Sequence, residues 1–253
     1  MITIKKPDDF KKMAVAGATV AVVLRSVREA ASPGVMMKDL DAIAAEIIRA
    51  RGCTPSFLGY HGFPAHICTS PNSTIVHGIP GDYRLKEGDI LSVDAGAIYE
   101  GFHGDAAVTF GVGQIDPSVQ QLLDTTEEGL WAGIRTVNPG ARLGDIGSAV
   151  EAEAARHGYG VVREYVGHGI GRQMHEEPQV PNFGKKGTGM KLRTGMAICI
   201  EPMFNMGGPE TEVEADGWTV VTADGTLSAH FEHTIGLTED GPVVFTANDL
   251  SSD

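Results

Sequence analysis

Residues 90–105 read Ile-Leu-Ser-Val-Asp-Ala-Gly-Ala-Ile-Tyr-Glu-Gly-Phe-His-Gly-Asp, a segment with the pattern of two strands and an intervening turn. It begins with an apolar strand that ends in Asp94, and its last residue, Asp105, precedes another strand pattern. The dipeptide Glu100-Gly101 lies near the midpoint of the two aspartates and is typical of a hairpin turn. A hairpin there pairs the strands antiparallel and brings the two carboxylates opposite or diagonal to one another.

The same plan occurs twice along the chain. Helical patterns fall in two pairs, at 10–27 and 38–51, and at 117–137 and 143–157. A shift of 106 residues places Pro33-Gly34 on Pro139-Gly140, and one further inserted residue places Asp94 on Glu201. These matches indicate an internal duplication.

Strand patterns follow each helix pair, at 90–93, 106–112, 196–200, 218–222 and 227–237. Helices that precede mostly antiparallel strands favour an α+β fold over a doubly wound sheet. We therefore expect one domain over 1–253, with pseudo-symmetric halves of about 5–113 and 114–245 that meet at a central cleft. The ends, before about residue 5 and at Ser251-Ser252-Asp253, are expected to be loose.

Composition is that of an ordinary soluble globular protein, since 42% of the 253 residues are hydrophobic and 21% are charged. A formal charge of −13 repels phosphate and argues against nucleic-acid binding. Three cysteines without close pairing favour a reducing compartment. The charge-free run from Met13 to Leu24, 12 residues long, imitates a signal peptide, but Asp8 and Asp9 and the helical spacing predict a cytosolic amphipathic helix.

Four carboxylates end or interrupt apolar strands, namely Asp94, Asp105, Glu201 and Glu232. Singly, each fits a solvated strand end or a surface ion pair, and His168 between two glycines fits a core histidine. Together they predict a site for two divalent metal ions, because the cations neutralise the charge of the carboxylates and a carboxylate can bridge two ions.

Several motifs occur in a fixed order along the chain: Tyr60-His61-Gly62-Phe63-Pro64, His77-Gly78-Ile79-Pro80, Gly101-Phe102-His103-Gly104-Asp105, Gly167-His168-Gly169-Ile170-Gly171-Arg172, His175-Glu176-Glu177-Pro178 and Glu201-Pro202-Met203. On these residues the chain resembles the methionine aminopeptidases of the short bacterial type I over about residues 4–244. The resemblance implies the pita-bread fold and removal of the initiator methionine from nascent chains whose second residue is small. It also implies that the substrate binds, and its amide bond is hydrolysed, in one central cleft.

The resemblance also implies a role for each ligand of two divalent ions, which are Co, Mn, Fe or Zn. Asp94 corresponds to a ligand of one ion, His168 and Glu201 correspond to ligands of the other, and Asp105 and Glu232 correspond to bridging ligands. Glu201 additionally serves as the general base.

For the substrate, the resemblance implies that His77 contacts the peptide and helps to move a proton, and that His175 hydrogen-bonds the scissile carbonyl. The pocket for the methionine side chain corresponds to Tyr60, His61, Phe63, Cys68 and Trp218. The chain departs from the family at Val76, often cysteine, and at Met174, often aromatic, which affects the shape of the pocket rather than the ligands.

The remaining histidines and cysteines are expected to be structural or exposed: His66, His103, His157, His230, His233, Cys53 and Cys199. The lysine pairs at 5–6 and 11–12 are typical of a solvated helix face, with a transient contact to ribosomal RNA as the alternative. The expected partner is the N-terminus of a nascent polypeptide, and we expect a cytoplasmic monomer that binds neither DNA nor membrane.

Two rival hypotheses stay open. A proline-directed peptidase of the same fold, such as aminopeptidase P or prolidase, shares a Gly-His-Gly segment, but its relatives usually carry a large N-terminal domain. A pita-bread domain that has lost catalysis and binds partners typically lacks ligands, whereas all the ligand types are present here.

Overall fold

The computed structural model describes residues 2–247, in which the helices come in two pairs. These are α1 (Pro7–Ala30), α2 (Met37–Ala50), α3 (Pro117–Thr136) and α4 (Leu143–His157). The four predicted helices are therefore confirmed to within a few residues. Between residues 2 and 247, no helix combines the length and the apolar character needed to cross a bilayer.

The strands are short apart from two, which are β4 and β5. In chain order they are β1 (Thr54–Pro55), β2 (Ile67–Pro71), β3 (Thr74–Val76), β4 (Ile90–Tyr99), β5 (Phe102–Gly111), β6 (Gly160–Val161), β7 (Gly167–Gly169), β8 (Glu176–Val180), β9 (Ala197–Ile200), β10 (Met203–Asn205), β11 (Thr211–Val213), β12 (Val220–Thr222), β13 (Ser228–His230), β14 (His233–Thr238) and β15 (Gly241–Val244).

Pairing of these strands is antiparallel throughout the sheets. In the first half, β4 pairs with β1, β2 and β5, and in the second half a five-stranded sheet has the order β15-β14-β9-β7-β8. Two three-stranded sheets, β13-β10-β6 and β11-β12-β3, complete the structure. The predicted α+β class is confirmed, because helices precede antiparallel strands in both halves.

The hairpin of β4 and β5 turns at Glu100-Gly101, as its sequence predicts. Both residues have positive φ angles, 45° and 79°, as a two-residue type I′ turn requires. In the resulting register Asp94 faces Ala107, and Asp105 faces Gly96. The two aspartates are thus diagonal neighbours on one face of the hairpin.

The prediction of a single strand at 227–237 is wrong, because the chain forms two strands with a break at Phe231-Glu232. β13 pairs with β10, whereas β14 joins the five-stranded sheet. At the break, Glu232 exchanges backbone hydrogen bonds with Ala107 of β5, at 2.9 and 3.3 Å. The strand predicted at 218–222 also begins later, at Val220.

Hydroxyl groups join β5 to the second half of the chain. Thr234 Oγ1 donates to the Asp105 carbonyl at 2.7 Å and accepts the Asp105 N–H at 3.0 Å. Thr109 Oγ1 makes the same pair of bonds to His230, at 2.7 and 2.8 Å. A seam of hydrogen bonds therefore connects the two parts, and the division into halves at 113/114 stays a prediction.

Each helix pair covers its own hydrophobic core. Residues of α1 and α2 pack with those of β4 and β5, and residues of α3 and α4 pack with the second-half strands. Helix α1 approaches β5 closely, since a Cβ on Gly104 would lie 2.7 Å from the Gly17 nitrogen. The missing side chain of Gly104 therefore allows this close approach between the helix and the strand that carries Asp105.

The residues before α1 form a strap across the second half. The buried Lys5 ammonium binds Glu176 Oε2 at 2.7 Å, with the two side chains 4% and 8% exposed. Thr3 donates to the same carboxylate, and the Lys5 N–H donates to the Gly195 carbonyl at 2.7 Å. The expected looseness before residue 5 is therefore wrong for residues 2–4, and Ser251-Ser252-Asp253 lie outside the described residues.

Replacement of Lys5 tests the strap. Lys5→Met leaves Glu176 buried without its counter-charge, and breaking a buried ion pair in this way costs about 3 kcal/mol or more. Urea unfolding should show this loss, whereas the matched change of its exposed neighbour, Lys6→Met, should alter the unfolding free energy by less than about 0.5 kcal/mol. Equal stabilities of the two variants would contradict the role of the strap.

Candidate metal centre

Four carboxylates converge on one cavity. Asp94 comes from β4 and Asp105 from β5, Glu201 directly follows β9, and Glu232 occupies the break between β13 and β14. His168, the middle residue of β7, lines the same cavity. Asp105 and Glu232 are each only 2% exposed. The structure thus brings together all five of the residues that were predicted as metal ligands.

The carboxylates lack the partners that buried charges need. Within residues 2–247, Asp94 Oδ1, Asp105 Oδ1 and Glu232 Oε1 are buried and have no hydrogen-bond partner. Burial and mutual repulsion raise the pKa of Asp94, Glu201 and Glu232 well above the ordinary range, and burial raises the pKa of Asp105 to about 7. Divalent cations would satisfy these oxygens and neutralise their charge, so the residues fit a metal site.

His168 has the tautomer that a metal ligand requires. Its Nδ1–H donates to the Gly169 carbonyl at 2.9 Å, which leaves the Nε2 lone pair free. Nε2 lies 3.6 Å from Glu201 Oε1. Burial and the nearby His175 lower the pKa of His168 to about 3, so the ring is neutral at physiological pH. The ligand atoms of His168, Asp105 and Glu232 lie within 4.8 Å of one another.

Cys199 is a buried core residue, as the sequence predicted, and it also lies beside this group. Its Sγ is also within 4.8 Å of those three ligand atoms, and it lies 3.5 Å from Thr234 Oγ1. Burial, followed by the charges of Glu232 and Asp105, raises the pKa of the thiol well above its ordinary value. Cys199 therefore stays a neutral thiol that packs against the carboxylates.

Glu201 is surrounded by groups that fix it. Asn182 Nδ2 donates to the Glu201 backbone carbonyl at 2.9 Å. Glu201 Oε2 lies 3.8 Å from His230 Nε2, a histidine that is 2% exposed. Burial and the neighbouring His77 lower the pKa of His230 to about 3, so its imidazole is neutral. His230 is buried at the site rather than exposed.

Two further histidines, His77 and His175, line the cavity next to the carboxylates. The Tyr60 hydroxyl bonds His175 Nδ1 at 2.7 Å, and the rings of His175 and His168 are 4.2 Å apart. Burial and His175 lower the pKa of His77 to about 4, and burial and His61 lower that of His175. Neutral imidazoles can donate or accept a proton near neutral pH.

The other wall of the cavity is apolar. It contains Tyr60, Phe63, Cys68 and Trp218 of the predicted pocket, and Phe63 contacts Trp218 edge to face at 5.2 Å between ring centres. His61 is exposed beside the Tyr60 ring and does not line this wall. The shape suits an unbranched apolar side chain.

Other histidines have partners away from the cavity. His66 pairs with Asp41 at 2.9 Å, and His103 bonds Ser56 at 2.9 Å. His233 bonds Thr246 at 2.8 Å, and His157 stacks on Tyr159.

Sequence reasoning missed Phe57, which lines the apolar wall, and the positions of Cys199 and His230. The spacing of Cys199 carried a signal, because it precedes Glu201 by two residues on one strand and so shares its face. Phe57 and His230 reach the site through long-range packing and gave no local signal.

Comparison with known proteins places these features in a family. The family model for metallopeptidase family M24 matches residues 11–239. A methionine aminopeptidase of Clostridium perfringens is 47% identical over 97% of this chain and 99% of its own length. The crystal structure of methionine aminopeptidase from Thermotoga maritima superposes with a TM-score of 0.95 at 46% identity, covering 97% of this chain and 99% of that one.

A more distant similarity concerns the fold alone. Prolidase from Pyrococcus furiosus superposes with a TM-score of 0.78 at 21% identity, covering 97% of this chain and 65% of that one. The predicted pita-bread fold is confirmed by these structures.

The burial of the carboxylates, together with their mutual repulsion, predicts how the metal-free protein responds to pH. A carboxyl whose folded pKa is raised contributes stability at low pH and loses it as pH rises through the folded pKa, about 7 for Asp105. Metal-free protein should therefore melt higher at pH 5.5 than at pH 8. Asp105→Asn should raise the pH 8 melting temperature by a few degrees, since about 1 kcal/mol corresponds to roughly 2–4 °C in a chain of this size.

Differential scanning calorimetry in chelator checks both effects. Asp124→Asn, which changes an exposed aspartate of α3 in the same way, is the control and should leave the pH 8 value unaltered. A metal-free Asp105→Asn protein that melts below the unmodified chain at pH 8 would contradict the repulsion.

Proposed function

Because this chain belongs to metallopeptidase family M24, we propose that its five clustered ligand residues hold two divalent metal ions that serve hydrolysis of a peptide bond. The chain is a metal-dependent aminopeptidase, and the bond that it hydrolyses follows the N-terminal methionine of a nascent polypeptide. We place the reaction in the cytoplasm.

One observation carries the proposal. Four carboxylates, three of which have a buried oxygen without a hydrogen-bond partner within residues 2–247, meet the apolar cavity at one end together with a neutral imidazole. A structural core has no use for this concentration of negative charge. A two-metal centre explains the carboxylates on one side of the cavity, and a pocket for an apolar side chain explains its apolar wall.

We assign Asp94 to one ion, His168 and Glu201 to the other, and Asp105 and Glu232 to both. Oxygen donors with one imidazole suit Mn(II), Fe(II), Co(II) or Zn(II). When bound, the ions polarise the scissile carbonyl and lower the pKa of a water molecule towards about 7.

The residues of the chain move the protons. Glu201, held at its backbone by Asn182, takes the proton of the attacking water as general base. His175, oriented by the Tyr60 hydroxyl, donates a hydrogen bond to the carbonyl oxygen as negative charge develops there. His77 lies at the same cavity and assists the leaving amine.

Selection of methionine follows from the apolar wall. A flexible thioether fills a pocket of Phe57, Phe63, Cys68, Met174 and Trp218, where a sulfur also contacts aromatic rings favourably. The second residue is selected by steric exclusion where the cavity opens.

A monomeric state and a transient ribosome contact complete the proposal. Lys5 cannot take part in that contact, because its ammonium is buried against Glu176. Lys6 and Lys11 are exposed and Lys12 is half-buried. Lys11 pairs with Asp8 and Lys12 with Glu100, but all three ammonium groups lie at the surface, where ribosomal RNA could contact them.

Removal of ligands should abolish activity. Each of Asp94→Asn, Asp105→Asn, His168→Ala, Glu201→Gln and Glu232→Gln deletes a ligand or its charge, so metal content and release of methionine from Met-Ala-Ser should both fall by most of their value. Chelation should have the same effect, reversibly. Glu127→Gln, an exposed carboxylate of α3, is the control. Full activity in dialysed, metal-free protein would rule out a metal-dependent hydrolase.

The two histidines of the cavity should affect turnover rather than metal content. His77→Ala and His175→Ala should each lower kcat by about 10²-fold or more, because each loses a group that acts in the transition state. Elemental analysis should find near-normal occupancy, and His157→Ala, an exposed imidazole, should behave as the unmodified enzyme. An empty site in either variant would make that histidine a ligand.

A peptide panel separates the two subsites. Met-Ala, Met-Gly and Met-Ser peptides should be cleaved and Met-Leu and Met-Lys peptides poorly, while norleucine should replace methionine with a loss of about 1–3 kcal/mol at most. Mass spectrometry reads the products. Efficient cleavage before proline, whatever the first residue, would instead assign the chain to the proline-directed peptidases.

A further inference from the structure

We propose that His230 is a positioning residue for Glu201, whose carboxylate it holds by an Nε2–H hydrogen bond when the centre is loaded. The proposal rests on the role of Glu201 given above. It adds a histidine that acts on Glu201 and does not contact the substrate.

The strongest observation is a buried nitrogen without a partner. His230 Nε2 is buried, and within residues 2–247 it has no hydrogen-bond partner, although the residue is only 2% exposed. Its near neighbour is Glu201 Oε2, at 3.8 Å. A buried N–H without an acceptor is costly, and a carboxylate is the strongest acceptor available to it.

The approach is direct rather than through water. A bridging water makes two bonds of about 2.8 Å and needs a wider gap than 3.8 Å between the atoms that it joins. A small rotation of the Glu201 side chain closes the distance, as happens when long hydrogen bonds of an empty site tighten on loading.

The fold holds His230 where it is. Thr109 of β5 binds both the N–H and the carbonyl of His230, at 2.8 and 2.7 Å, and His230 pairs with Met203 of β10. Met203 begins β10 two residues after Glu201, so the strand that pairs with His230 starts close to the base.

The two oxygens of Glu201 then have different environments. Oε1 faces His168, a ligand, at 3.6 Å, whereas Oε2 faces His230. A hydrogen bond from His230 to Oε2 would stop the carboxylate from rotating about its axis and keep Oε1 directed towards the ions. Such outer partners of ligating carboxylates typically change metal affinity or activity by about 10–100-fold.

Three variants test the proposal by a measurement made without substrate. Metal-free protein is titrated with Co(II), followed by its visible absorption. His230→Leu, which removes the donor, should weaken Co(II) binding by about 10–100-fold and shift the absorption band. His230→Gln, whose amide keeps an N–H, should restore binding to within about threefold of the unmodified protein.

The matched control is His233→Leu. His233 is the residue after Glu232, and its side chain bonds Thr246 and contacts Trp131 on the side away from the carboxylates. It should lower thermal stability without weakening Co(II) binding. With Glu201→Gln already present, His230→Leu should weaken Co(II) binding by less than about twofold, because the acceptor charge has gone.

Kinetics on Met-Ala-Ser supply the second readout. His230→Leu should lower kcat with little change in KM, and His230→Gln should recover it. The proposal is overturned if His230→Leu binds Co(II) like the unmodified protein, if His230→Gln is as weak as His230→Leu, or if the leucine variant keeps only one ion, which would make His230 a ligand. Failure of the proposed function is distinguishable, since unmodified protein would then bind Co(II) but release no methionine.

Discussion

The structure depends on keeping four carboxylates together in a place that water barely reaches. Like charges at this separation repel strongly in a poorly hydrated interior, and burial disfavours each of them further. Everything close to the centre counters that tendency: the tight β4–β5 hairpin fixes Asp105 diagonally to Asp94, and Thr234 binds the backbone of Asp105 on both its polar groups. The metal-free site is therefore a strained arrangement, and cations relieve it.

The imidazoles next to the carboxylates are kept neutral by the same burial. Burial lowers the pKa values of His77 and His168, to about 4 and about 3. An unprotonated ring can give its lone pair to a metal or exchange a proton with a substrate, whereas a charged ring can only donate. The exclusion of water from the cavity thus raises the pKa of its carboxyl groups and lowers the pKa of its imidazoles.

The sequence predicted the helices and the hairpin well, because their signals are local. Pro-Gly stops follow the first helix of each pair, and Gly101 readily adopts one of the two positive φ angles that the hairpin turn requires. It failed at 227–237, where no turn residues mark the change of sheet at Glu232. That break is decided by Ala107, which is distant in sequence and competes for the backbone of Glu232.

The candidate carboxylate ligands could be found from their positions at strand ends, but their proposed division between two ions came from the resemblance to a family. His61 followed that resemblance and lies outside the cavity lining, because its backbone turns it outwards at φ 48°. His230 could not be assigned to the site from the sequence, since strand periodicity gives the face of a residue and not the neighbour that packs against that face.

The seam between β5 and the second half has an evolutionary reading. Two identical half-length chains joined along such a seam would form a symmetric dimer, in which any ligand would occur twice in equivalent places. Here the equivalent positions hold Asp94 on one side and Glu201 on the other, which differ by one methylene. In one chain the two positions can differ, so the cavity can be asymmetric, with a longer carboxylate side chain on one side than on the other.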